Sequence, residues 1–234
     1  MQINEIYSLT KPGSLSSRIT RHQRVKMFQT FLDTMAPTGN HTILDVGATS
    51  DQNYDHSNYF EAWYPYPERV TAAGIDDASF LETAFPGVRY VKADGRNLPF
   101  ADESFDFVHS NAVLEHVGSN AQQSAFVKEM WRVARRGVFL TTPNRWFPVE
   151  FHTVLPLLHW LPPSLFRAIL RWLGHHELAR EENLNLLSRF HLKKLAAGCA
   201  MRNAAIRNAS LFGWPTNLLL IATKDCADMT KATA

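Results

Sequence analysis

The sequence predicts an α/β fold whose core, residues 41–142, is a mostly parallel sheet arranged to bind a nucleotide. Three observations carry that prediction. Short apolar runs alternate with segments of helical spacing, the pattern of a sheet buried on both faces. Acidic, glycine and small polar residues fall at the ends of those runs, where open α/β sheets bind ligands. The spacing fits consecutive strand ends gathered around one crevice: about thirty residues separate Asp45 from Asp76, and about eighteen separate Asp76 from Asp94.

Each element follows from a local signal. Residues 1–17 read as irregular, with a turn at Pro12 and Gly13. From Arg18 to Met35, Ile19, Val25, Phe28, Phe31 and Leu32 recur at roughly helical spacing. His41–Val46 is a first strand. Ser57–Trp63 is a short helix, broken by Pro65 and Pro67. Arg69–Ile75 is a second strand, after which Asp77 is expected to cap a helix through Leu81 and Phe85. Val88–Val91 and Phe105–His109 are the third and fourth strands. A helix at Ala121–Val133 leads into a fifth strand at Gly137–Thr142. Beyond Pro143, Leu155–Leu161 and Leu165–Leu173 read as helices separated by Pro162 and Pro163. Ser188 is positioned to cap a helix at Arg189–Ala197. Two last strands are expected around Met201–Asn208 and Leu218–Thr223, with the turn at Gly213-Trp214-Pro215. The tail from Lys224 is polar.

Composition narrows the function. The chain has 234 residues, 45% of them hydrophobic and 20% charged, with a net charge of +2, ordinary values for a globular domain. No basic stripe with spaced aromatics marks a nucleic-acid binder. Arg132, Arg135 and Arg136 cluster where a helix end meets a strand, and they read as local structure. Cys199 and Cys226 are the only cysteines and have no neighbouring ligand residues, so neither a disulfide scaffold nor a thiolate zinc site is expected. The first residues hold no apolar run of signal-peptide length, and no eighteen-residue apolar window exists, so a cytoplasmic location is expected.

Alone, Gly47 is a turn residue, Asp76 a cap or turn residue and Asp94-Gly95 a routine turn pair. Together, the segments ILDVGATSD (43–51), AAGIDD (72–77), ADGRNLPFADESFDFVHSNAVLEHV (93–117) and RVARRGVFLTTPNR (132–145) resemble the class I S-adenosylmethionine-dependent methyltransferases of the type 11 group. The resemblance implies a Rossmann-like three-layer sandwich: a seven-stranded sheet of order 3-2-1-4-5-7-6 with the last strand antiparallel, plus a small helical cap. It implies one domain over 1–234, with an N-terminal helix at 18–36, a cofactor-binding core at 41–145, a helical cap insert at 146–187 and the C-terminal part of the core at 188–224. By position, Asp45 and Gly47 would lie under the methionine part of S-adenosylmethionine. Asp76, with Asp77 beside it, would take the ribose hydroxyls. Asp94 would meet the adenine amino group beside Gly95 and Arg96. Asn111 and Val113 would flank the sulfonium. The first loop departs from the glycine-rich pattern of that family: Thr49 and Asp51 stand where it has glycines. Thr49 adds a side chain that can bond the cofactor carboxylate, and Asp51 would repel that carboxylate unless it points away or meets the positive amino group.

For the chemistry, His116, His152 and Glu150 are the candidate catalytic residues, with Glu115 beside them. An imidazole near neutrality suits deprotonation of a hydroxyl. Alternation would put Glu150 and His152 on one side of an extended segment. A purely structural role for either histidine stands beside that reading. No metal is expected, because two or three scattered ligands do not define a site. The expected reaction is methyl transfer to an oxygen of a small-molecule, sugar or lipid-linked acceptor. The alternatives are a non-catalytic binding or scaffold protein on the same fold and an NAD-dependent oxidoreductase. The apolar stretch VLPLLHWLPPSLFRAILRWL in the cap is compatible with peripheral membrane contact, and a monomer or a homodimer is expected.

Overall fold

The computed structural model describes residues 15–52 and 57–224. The Pro12-Gly13 turn, part of the 52–60 loop, Cys226 and the polar tail lie outside the described residues. Seven strands form one sheet: β1 (Ile43–Val46), β2 (Val70–Gly74), β3 (Arg89–Lys92), β4 (Phe105–Asn111), β5 (Ala134–Pro143), β6 (Ala205–Leu211) and β7 (Trp214–Thr223). Their order is β3-β2-β1-β4-β5-β7-β6. All pairings from β3 across to β5 are parallel, and β7 runs antiparallel to both β5 and β6. The fold is the Rossmann-like sandwich expected from the sequence.

Strand alternation feeds two cores. Ile43, Phe107 and Phe139 point to one face, where they pack with Phe28 and Phe31 of α1 (Leu15–Met35) and Phe60 of α2 (Tyr59–Trp63). Leu44, Val108 and Leu140 point to the other, against Phe126 and Met130 of α4 (Asn120–Val133) and Leu192 of α6 (Arg189–Gly198). Between α2 and α4, the single turn α3 (Leu81–Ala84) buries Leu81. Helix α4 starts with a capping box in which Ser119 and Gln122 satisfy each other's backbone. Ser188 caps α6 by accepting from the His191 amide, as its position before the apolar run predicts.

Several local expectations are corrected. Helix α1 begins at Leu15, inside the segment read as irregular. Val25 is exposed, and Met27 joins the core in its place. Asp77 does not cap α3; it accepts from the Ser79 amide in a local turn ahead of the helix. Leu155–Leu161 is not a helix. Val154 and Leu157 have positive φ, Pro156 bridges Val149, and only Leu158–Trp160 forms a 3-10 turn. Proline at 156 removes the amide that a helix there needs. The last turn is Phe212-Gly213, both at positive φ, while Trp214 and Pro215 belong to β7. A two-residue hairpin needs positive φ at its centre, and glycine supplies it without cost.

The cap between β5 and α6 has its own core. Phe166 and Leu170 of α5 (Pro163–Trp172) pack with Leu178, Leu184 and Leu186. Its returning strand of chain is tied to the sheet end: Asn185 N donates to Glu115 O at 2.7 Å, and Gln123 Nε2 donates to Asn185 O at 2.9 Å. The clustered arginines meet acids nearby: Arg132 pairs with Glu129 and Asp102, and Arg135 and Arg136 pair with Asp106. Among the described residues, no helix is long and apolar enough to cross a membrane.

Candidate active site

A cavity of about 630 Å³ opens at the carboxyl ends of the parallel strands. That is a size typical of small-molecule sites. The sheet order dictates who meets whom. Along the edge come Asp94–Arg96 after β3, Asp76 after β2, Gly47–Thr49 after β1, Asn111 and Val113 after β4, and His152 beyond β5. His116 lines it from the 3-10 turn after β4. Glu177, Arg180 and Asn183 cover it from the cap.

Gly47 is required twice over. Its φ is +113°, and a Cβ there would stand 2.1 Å from Val113 Cγ2. Its amide donates to Ala73 O at 2.7 Å, which binds the β1 turn to β2. Gly47→Ala is expected to cost about 3 kcal/mol through backbone strain and overpacking. A thermal melt checks this: the midpoint should fall by roughly 6–12 °C for a chain of this size. Gly95 is held by a different contact, because a Cβ would meet Phe126 at 2.4 Å.

The loop that lacks two glycines is braced by side chains instead. Asn58 clamps the Thr49 backbone from both sides, accepting from its amide and donating to its carbonyl, each at 2.9 Å. Thr49 Oγ1 accepts from Asp51 N at 3.1 Å, and Ser57 Oγ donates to Asp51 Oδ2 at 2.8 Å. Arg24 of α1 lines the cavity at this loop, and its charge acts on Asp51. The acid thus comes with its own donors and a nearby cation.

Asp45 does not line the large cavity. Its carboxyl turns beneath the loop to hydrogen-bond His109 Nδ1, while Tyr59 bonds the other ring nitrogen at 3.2 Å. Burial raises the Asp45 pKa well above the carboxylate range. Glu61, buried next to it, is raised by burial and by the Asp45 charge, and burial lowers His109 to about 3. Asp45 instead lines a smaller hollow beside the large cavity, together with Gly47 and Asn111. A carboxyl ending β1 alternates onto the face where α2 supplies polar partners. Asp77 does not line the cavity, and its carboxyl accepts from the Ser79 amide. Asp94 lines the cavity with its carboxylate forked against Arg96, at 2.9 Å to Nε and 2.7 Å to Nη2. Those bonds hold its pKa below the usual range.

The candidate catalytic residues come together. The His116 and His152 rings meet edge to face, their centroids 4.7 Å apart. Glu150 is buried outside the cavity and backs His152: its Oε1 is 2.6 Å from His152 Nδ1 and accepts from the His152 amide. Its Oε2 accepts from the amide and hydroxyl of Thr153. The segment is a turn, not the extended piece expected, because one carboxylate gathers the donors of both His152 and Thr153. Burial would raise Glu150, but the His152 charge and these bonds hold it near 2. Burial alone would lower His152; the Glu150 charge and bond reverse that and raise it. His116 Nδ1 bonds Asn183 O at 2.7 Å, and burial lowers this ring to about 3.

The pattern of the family described as "Methyltransferase domain" matches residues 44–142. Residues 44–142 thus match a methyltransferase domain, and the sheet around them has the class I methyltransferase fold. A demethylmenaquinone methyltransferase of Roseiflexus sp. (strain RS-1) is 29% identical over 176 residues, 67% of this chain and 69% of that protein. An uncharacterized methyltransferase of Mycolicibacterium gilvum (strain PYR-GCK) is 37% identical over 100 residues, 43% of this chain and 37% of that one. Magnesium protoporphyrin IX methyltransferase from Synechocystis PCC 6803, solved with S-adenosylhomocysteine, superposes with a TM-score of 0.57 at 13% identity, covering 95% of this chain and 92% of that one. A methyltransferase from Methanosarcina mazei gives 0.52 at 19% identity, covering 80% and 94%. These two likenesses establish the fold.

Arg24 and Asn183 are among the contributors to this cavity that reading the sequence missed. Arg24 carried a signal: it sits one helical turn before Phe28 and two before Phe31, a cation on the apolar face of α1. Asn183 carried none, because its place over the cavity depends on how the cap folds back.

Proposed function

We propose that the chain transfers a methyl group from S-adenosylmethionine to a hydroxyl oxygen of an acceptor lodged beneath the cap. The observation that carries this reading is the order of groups along the cavity. Acceptors suited to adenine and ribose stand at the β3–β2 end, and two imidazoles, His152 backed by the Glu150 carboxylate and His116 by the Asn183 carbonyl, stand at the β4–β5 end.

In this reading Asp94, Gly95 and Arg96 hold the adenine. Asp76 accepts from the ribose hydroxyls. Gly47 and Thr49 lie along the methionine part, with Arg24 meeting its carboxylate. Asn111 and Val113 flank the sulfonium. The sulfonium supplies an activated methyl, so the protein's task is to align the acceptor and remove its proton. The acceptor hydroxyl lies between His116 and His152. Glu150 fixes the His152 tautomer, so that Nε2 is the nitrogen offered to the hydroxyl. The name of the Roseiflexus relative raises a quinone as the acceptor; a screen that includes reduced quinones beside phenols, sugars and lipid-linked hydroxyls separates carbon from oxygen methylation.

Calorimetry with S-adenosylhomocysteine tests the cofactor half. Binding is expected for the wild type, and Asp76→Ala should weaken it by about 10–100-fold, the value of hydrogen bonds to a charged group. No binding at millimolar ligand to the folded protein would sink the reading in favour of a non-catalytic protein on this fold.

A further inference from the structure

Glu115 is the residue that the proposed reaction leaves over. It is fully buried after β4. Its Oε2 accepts from Thr142 Oγ1 at 2.8 Å, whereas its Oε1 has no hydrogen-bond partner. A buried carboxylate oxygen without a donor is costly and calls for a ligand. His116 Nε2 lies 3.9 Å from that oxygen. One ligand atom each from Glu115, His116 and His152 falls within 4.8 Å of the others.

The surroundings prepare these atoms for a cation. His152 Nδ1 is engaged by the Glu150 carboxylate and His116 Nδ1 by the Asn183 carbonyl. An oxygen acceptor on one ring nitrogen fixes the tautomer and turns the lone pair of the other outward, the outer-shell arrangement of metal-ligating histidines. Both rings line the cavity, so an ion held there keeps positions open toward it. Two imidazoles and a carboxylate suit zinc, manganese or ferrous iron better than magnesium, which prefers oxygen. Bonds of about 2.1 Å at tetrahedral angles put ligand atoms roughly 3.4 Å apart, which side-chain rotation from the present spacing can reach.

We propose that Glu115, His116 and His152 form a binding site for a divalent transition-metal ion at the acceptor end of the cavity. The proposal rests on the methyltransferase reading for its role. With the ion bound, both Nε2 atoms are ligands, and the acceptor oxygen meets the ion in place of the rings. As a Lewis acid the ion would favour the ionised form of that oxygen, the hydroxyl proton leaving to solvent through the open cavity. The sequence argued against a metal because its ligands are scattered; the fold draws them together.

The test titrates Zn²⁺ calorimetrically into tag-free full-length protein stripped with chelator, and Co²⁺ by visible absorption. One ion per chain is expected at micromolar affinity or tighter. Glu115→Gln, which keeps an acceptor for Thr142, and His152→Ala should each weaken it at least about 100-fold. His176→Ala, an exposed control, should not. No zinc binding by the wild type, or equal affinity in both ligand variants, overturns the site. Parallel titration with S-adenosylhomocysteine separates the two ideas and reports on folding of the variants. Cofactor binding without zinc binding removes the metal and leaves the methyltransferase reading standing. Zinc binding that depends on these residues, without cofactor binding, does the reverse.

Discussion

His152→Ala is expected to reduce methyl transfer by about 100-fold or more while leaving S-adenosylhomocysteine affinity within about threefold. General acid–base groups typically contribute 10²–10⁴-fold. The separation of effects follows from the sheet order: His152 enters beyond β5, away from the loops after β2 and β3 that carry Asp76 and Asp94. Glu150→Gln should give a smaller loss, because an amide oxygen can still accept from Nδ1 but no longer carries the charge that raises His152. Glu150→Ala is different. It strips acceptors from His152 and Thr153 in a buried turn, so about 3–5 kcal/mol of stability is lost with the activity. Single-turnover assays beside cofactor calorimetry check the set. Equal loss of cofactor affinity and rate in His152→Ala would falsify its assignment to the acceptor end.

The second large effect concerns pH. Asp45 and Glu61 are buried together beneath the β1 loop, and both hold their protons more tightly in the fold than in the unfolded chain, chiefly through burial. A carboxyl raised in this way binds more protons when folded. The stability it contributes is therefore present at low pH and lost as pH rises from the ordinary carboxylate range through the folded value. His109 works in the opposite direction: burial keeps it neutral, so stability falls as pH drops below its unfolded value near 6.5. The expected profile has a maximum in the mildly acidic range and a decline above neutrality. Glu61→Gln removes one ionisation while keeping the shape. It should flatten the alkaline limb and raise the midpoint at pH 9 relative to the wild type, because the burial that raises Glu61 no longer opposes an ionisation. Thermal melts from pH 5 to 9 measure it; parallel limbs in wild type and variant would remove the Glu61 contribution.

Much of the sheet was legible because its signals are local. Runs such as Ile43–Val46 and Phe105–Asn111 are buried on both faces and must be apolar throughout. The errors fell where the chain answers to distant partners. Leu155–Leu161 has helical composition, but Pro156 pairs with Val149 and the 3-10 turn at Leu158–Trp160 is held by His159 bonding Phe147 O. Nor does local pattern show that the Asp45 carboxyl bonds His109 beneath the loop. Its burial against His109 and Glu61 depends on α2, a five-residue helix held in place by Phe60 packing on Phe28 and Phe31.

By itself, then, the sequence determined the strand order's raw material: the apolar runs, the polar residues that end them, and the turn at Gly47 that only glycine fits beside Val113. These are set by periodicity and backbone sterics, which act over a few residues. Only the tertiary structure decided which polar ends share a cavity. Glu115 and His116 follow β4, His152 follows β5, and Asn183 lies over them on the returning cap. Their meeting depends on the parallel pairing of β4 with β5 and on the cap's separate core, contacts between segments far apart in the chain that no local pattern encodes.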